Sequence, residues 1–223
     1  MAVVFGFRSD AGERLERIEE AIQQMLRDDA HSIELAMSAL LGGVDSHSVG
    51  AELRATDHRV NEAERGIRRD LVVHASVHGS IDTPAILIYM SIVKDIERIG
   101  DYAKNLFDLA HDGTNLTVTS RGARHTAMHT EMIRMINEVS TAFRERDPEL
   151  SRELLAHGDE LLDDFDDAVS SLVRSDSVGD QSVAQALAYR YYKRIIAHLL
   201  NVLSAVVMPV DRLDYFDEDP EDR

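Results

Sequence analysis

The sequence predicts an all-α protein built as two tandem three-helix bundles related by an internal repeat. Three observations carry this. Aromatic residues make up only 5% of the chain and tryptophan is absent, while the good helix formers Ala, Leu, Glu and Arg dominate. Apolar residues recur at three- and four-residue spacing through six long segments. The fifth and sixth segments can be laid over the second and third at similar offsets.

The first helix is expected to start from a cap at Ser9 or Asp10. It carries Leu15, Ile18, Ile22, Met25, Ile33, Ala36 and Leu40 on one stripe and ends at Gly42 and Gly43. A second helix over residues 46–77 has the stripe Leu53, Val60, Ile67 and Leu71. Asp82 or Thr83 then caps a third helix that opens with Pro84 and runs to about residue 110, where "HDGTN" breaks it.

The fourth helix, over residues 120–146, holds Met128, Met132, Met135, Ile136, Val139 and Phe143, and its helix-spaced methionines are expected to fill core. Asp147-Pro148 is a fresh cap and first turn for a fifth helix carrying Leu150, Leu154, Leu162, Phe165, Val169 and Leu172. The cluster "RSDSVGDQS" separates it from a sixth helix over residues 183–208.

At one offset, Leu53 falls on Leu155, Asp57 on Asp159, Val60 on Leu162, Asn61 on Asp163 and Ile67 on Val169. At a slightly smaller one, Arg98 falls on Arg194, Ile99 on Ile195 and Asn105 on Asn201. The expected organisation is a first bundle over residues 1–116 with a short N-terminal extension, a second over 117–215, and an acidic disordered tail over 216–223. A single core shared by both halves is compatible with the same pattern.

Composition excludes several functions. With 41 acidic against 24 basic residues the formal charge is −17, which repels a phosphate backbone, so no nucleic-acid partner is expected. There is no cysteine for a disulfide, a thiolate nucleophile or a zinc-thiolate site. The N-terminus lacks a positive region ahead of a long apolar run, and no stretch approaches the roughly 20 apolar residues of a membrane span. The expected location is therefore cytoplasmic, with no direct membrane insertion. No glycine-rich phosphate loop, G-x-S-x-G or H-E-x-x-H occurs, so binding is favoured over catalysis and no enzyme is expected.

The stretch "SIVKDIERIGDYAKN" over residues 91–105 concentrates the chemistry. Glu97 and Asp101 are one turn apart, about 40° apart around the helix, so their oxygens converge on one side. On the second helix Asp57, Asn61 and Glu64 border the apolar stripe and flank a groove. Oxygen donors from two helices across one groove suit hard cations such as magnesium, calcium, manganese or iron. The expected cofactor is a divalent or trivalent metal ion, with zinc also among the candidates. The plainer alternative is a solvated face on which Arg98 or Lys94 neutralises the acids.

Other metal candidates are weaker. His125 and His129 read as exposed helix histidines and His198 as a structural one. "DDAH" at residues 28–31 is a lone approach to the Glu-x-x-His of di-iron bundles, with Asp in place of Glu.

"IVKDIERIGDYAKNL", preceded by "LRATDHRVNEAERGIRRDLV", resembles the PhoU family, whose helices carry acid-x-x-x-Asp motifs in an E-R-I-G/A-D-x-A-x-N context. The likeness extends over residues 13–215. It implies a pair of three-helix bundles with metal at surface carboxylates, and a role restraining phosphate uptake and phosphate-starvation signalling. The implied partners are the ATPase component of a phosphate transporter and a sensor histidine kinase, and a homodimer is also compatible. The alternatives are an accessory regulator of a different ion transporter and, from another class, a metal-dependent hydrolase using the same carboxylates.

Carried onto this chain, the resemblance implies Asp57, Glu97 and Asp101 as metal ligands, with Asn61 where a carboxylate would bind more strongly, and Glu64 joins them from the groove reading to complete the expected set. In the second half Asp159 and Asp163 are kept, but Lys193 and Ala197 stand where an acid pair is expected. The expectation is one competent metal site, and one replaced by a salt bridge from Lys193 to Asp163 or Asp166.

Overall fold

The computed structural model describes residues 10–79, 81–175 and 181–213. Helix α1 spans Asp10–Leu40, α2 Ser46–His78, α3 Thr83–His111, α4 Gly122–Glu145, α5 Pro148–Val173 and α6 Ser182–Val207. Single 3-10 turns at Leu116–Val118 and Val210–Arg212 follow α3 and α6, and no strand occurs among the described residues. The helix bounds fall within two residues of those expected from periodicity. The Ser9 cap and the acidic tail lie outside the described residues.

Local chemistry sets most of the ends. Asp45 accepts the backbone N–H of His47 at the start of α2. Asp147 accepts those of Glu149 and Leu150 at 2.9 and 3.0 Å, ahead of Pro148 in the first turn of α5. At the end of α1, Gly42 takes φ 72°, a conformation suited to glycine, and a Cβ there would run into the Asn115 amide.

One cap differs from expectation. Asp82 occupies the capping position of α3 but makes no side-chain cap bond. Its carboxylate is 2.8 Å from His74 Nε2, and both residues are buried. A buried imidazole facing a buried carboxylate is a stronger electrostatic demand than one exposed backbone N–H, so the side chain turns inward.

Helices α1, α2 and α3 pack on one another, and α5 and α4 pack against α6. The two bundles also meet extensively, α3 along α6 and α1 along α4. Apolar stripes facing the bundle axis merge there, so the buried side chains form one continuous core through both halves. Met25, Ile33 and Leu40 of α1, Ile96 and Ile99 of α3, Met135 of α4 and Ile195 of α6 are all fully enclosed. Burial of each such side chain contributes about 2 kcal/mol. Met132 and Met135 fill core and Met128 packs at its edge.

His125 departs from the sequence reading. It is fully buried among Tyr189, Tyr192 and Phe165, with Nδ1 3.2 Å from the Tyr192 hydroxyl. Burial holds its pKa down at about 4. Its neighbour one turn on, His129, contacts Glu34 of α1 at 2.8 Å. His198 is a satisfied structural histidine, bonded to Asp95 at the α3–α6 junction. Among the described residues no helix is long and apolar enough to cross a membrane.

Candidate metal centre

Helices α2 and α3 run side by side, and their acidic positions meet in two pairs. Each pair contains one carboxylate from each helix and one lysine of α3. Lys104 Nζ is 2.7 Å from Asp57 and 2.7 Å from Asp101. One end of the groove further along, Lys94 is 2.5 Å from Glu97 and 4.0 Å from Glu64, and Arg68 adds a contact to Glu64 at 3.0 Å. Asn61 donates its side-chain amide to the Asp57 carbonyl one turn back, an intrahelical bond.

Four of the five expected residues therefore meet across α2 and α3 in two lysine-bridged pairs, while Asn61 is bonded within its own helix. Among the described residues, no three acidic or histidine side chains stand close enough together, as placed, to hold an ion. Glu64 and Glu97 are buried, whereas Asp57 and Asp101 are about one quarter and two fifths exposed on their side chains. A groove of about 530 Å³ opens beside Asp101 and Lys104, lined also by Leu53, Arg54, Arg98 and Tyr102, and gives water access to this end of the cluster. Burial alone would lower the pKa of Lys104, but its hydrogen bonds to Asp101 and Asp57 outweigh that and raise it.

A further carboxylate comes from α1, which sequence reasoning passed over. Asp29 is fully buried, and neither of its carboxylate oxygens has a hydrogen-bond partner. Burial raises its pKa well above the usual carboxylate range, and the charges of Asp28, Glu97, Asp57 and Asp101 push the same way. Its sequence neighbour Asp28 is satisfied by Arg59 at 3.0 Å. The signal was present in the α1 stripe: between Met25 and Ile33 the three- and four-residue spacing requires a core side chain, and the residue there is Asp29.

The donor chemistry fits a hard cation. Each of the five expected ligands offers oxygen, the four acids outnumber the two lysines between them, and a buried carboxylate without any donor is expensive unless a cation or proton reaches it.

The second half is different. Lys193 and Arg190 both pair with Asp166, while Asp159 and Asp163 are exposed on the outer face of α5. Of the two carboxylates offered to Lys193 by the sequence, the structure selects Asp166.

Residues 22–110 match the family model described as the PhoU domain. That stretch of the chain is similar to a PhoU domain. It contains all of Asp29, Asp57, Asn61, Glu64, Glu97 and Asp101. No curated protein matches the chain by sequence.

The fold is similar to that of PhoU from Pseudomonas aeruginosa, with a TM-score of 0.73 and 21% identity, covering 87% of this chain and 95% of that one. It is also similar to the phosphate transport system regulatory protein PhoU from Streptococcus pneumoniae, with a TM-score of 0.69 and 13% identity, covering 92% and 98%. The sequence match thus stops at the end of α3 while the fold likeness extends into the second half. That half keeps the apolar repeat but carries Lys193 and Ala197 where the first half has Glu97 and Asp101.

Proposed function

We propose that this protein is a regulatory adaptor that restrains phosphate uptake and phosphate-starvation signalling. It does so by docking on the ATPase component of a phosphate transporter and on a sensor kinase. It acts by binding and not by turnover, and a hard cation at the α2–α3 carboxylates sets the surface it presents. The observation that carries this reading is the PhoU-domain match over residues 22–110, which encloses the whole acidic groove.

When bound, the cation would supply charge neutralisation and a link between helices. Asp57 and Glu64 of α2, with Glu97 and Asp101 of α3, would hold it. Lys94 and Lys104 balance the same charges by ion pairs, so ion and lysine compete for one set of oxygens. The relative position of α2 and α3 then depends on which of them holds the acids.

Affinity capture from membranes of phosphate-replete cells, with the tagged full chain as bait, tests the adaptor role. Recovery of the phosphate-transport ATPase or a sensor kinase supports it. Recovery of a different ion transporter moves the chain to another transport system, and recovery of no transport component contradicts the reading.

A further inference from the structure

We propose that Asp29 of α1 is a ligand of the cation site, so that three helices and not two close the site around a hard divalent or trivalent cation. The inference rests on the metal-binding part of the reading above and extends it to a residue and a helix that the acidic motifs do not include.

Asp29 is completely enclosed, yet neither oxygen receives a hydrogen bond. The cations nearby are engaged elsewhere: Arg59 on Asp28, Lys94 on Glu97 and Glu64, Lys104 on Asp57 and Asp101. Among the described residues none forms an ion pair with Asp29. A stripe position of α1 that would ordinarily carry a Leu or Ile thus holds a carboxylate with nothing to satisfy it. An enclosed acid with no hydrogen-bond partner is among the rarest arrangements in folded proteins. Here it faces the acids Asp57, Glu97 and Asp101, all of which lie close enough to act on it electrostatically.

Gly100 supplies the geometric argument. It lies on α3 between Glu97 and Asp101, and a Cβ built there would stand 2.7 Å from Asp29 Oδ1. Any side chain at 100 would therefore displace the Asp29 carboxylate from its place beside α3. The repeat provides an internal comparison, because the offset that lays Arg98 on Arg194 lays Gly100 on Ile196 and Asp101 on Ala197. Ile196 is fully buried, so the second half has a core side chain at the position where the first half has glycine. The glycine and the two α3 acids that flank it are present together in one half and absent together in the other, although the α5 acids Asp159 and Asp163 are kept.

Titration of the purified full-length protein with manganese(II), the free ion followed by its electron paramagnetic resonance signal, tests the assignment. Asp29→Asn keeps size and shape while removing the charge, and should weaken manganese binding at least tenfold. Gly100→Ala keeps every carboxylate and should also weaken binding, which decides the matter if Asp29→Asn does not fold. Without metal, Asp29→Asn should melt at a higher temperature than the parent, since an unsatisfied buried acid is gone. Manganese should raise the melting temperature of the parent and not of the variant. Binding by Asp29→Asn or Gly100→Ala as tight as that of the parent overturns the role of Asp29 while leaving a two-helix site intact. A parent protein that takes up no manganese defeats the metal reading itself, and this inference with it.

Discussion

His198 Nδ1 donates to Asp95 Oδ1 at 2.8 Å across the junction of α3 and α6, and both side chains are buried. Asn201 donates to the same oxygen at 2.9 Å. Asp95 precedes Glu97 by two positions on α3, so the helix that lines the acidic groove also carries the polar joint between the two halves. A single buried oxygen accepting two donors fixes the register of α6 on α3 more sharply than the surrounding apolar contacts do.

Asp95→Ala is therefore expected to destabilise the protein by about 2 kcal/mol, because it leaves the buried His198 and the half-buried Asn201 donors unpaired. The urea midpoint should fall with little change in the slope of the transition. A midpoint within error of the parent would show that the joint carries no stability.

Lys104→Met removes the ammonium group that Asp57 and Asp101 share, while keeping the length of the side chain. The pairs are partly exposed, so the metal-free protein should lose less than about 1 kcal/mol. Removing this competitor should tighten manganese binding by about fivefold, the equivalent of ~1 kcal/mol. Weaker binding would mean that Lys104 organises the site instead of competing for it.

Acid stability should report on His125. Its folded pKa is about 4, below the ordinary 6.5 that the unfolded chain shows. Above pH 6.5 both states hold a neutral imidazole and the full contribution is present. As pH falls from 6.5 to 4 the unfolded state takes up a proton that the folded state refuses, and roughly 3 kcal/mol is lost. His125→Phe should flatten denaturation midpoints across that window, and an unchanged pH profile would contradict the assignment.

In the second half, Asp159→Asn with Asp163→Asn should leave metal binding unaltered, since both side chains are exposed and Lys193 and Arg190 are engaged by Asp166. Loss of one bound ion in equilibrium dialysis would reveal a second site.

The helices were legible because their information is local. Apolar spacing, Asp147-Pro148 and the Gly42-Gly43 stop act over a few residues and place the ends closely. The two-helix groove was legible for the same reason, since Glu97 and Asp101 on one helix and Asp57 and Glu64 on the other announce their faces.

What escaped depends on contacts distant in sequence. Asp82 reads as a cap until His74 is seen beside it, and His125 reads as exposed until α6 closes over it with Tyr189 and Tyr192. Asp28 and Asp29 read as part of a failed Glu-x-x-His. Only the packing of α1 on α3 shows that Gly100, conspicuous in its motif without an evident purpose, makes room for Asp29. The choice of Asp166 over Asp163 by Lys193 likewise follows from how α5 rotates against α6.

The central claim is that the facing carboxylates of α2 and α3 hold a cation. Equilibrium dialysis of the parent protein and of the Glu97→Ala, Asp101→Ala double variant against manganese(II), with bound metal measured by mass spectrometry, tests it most directly. The account predicts bound manganese in the parent and none above background in the variant. Equal metal content in the two would contradict it.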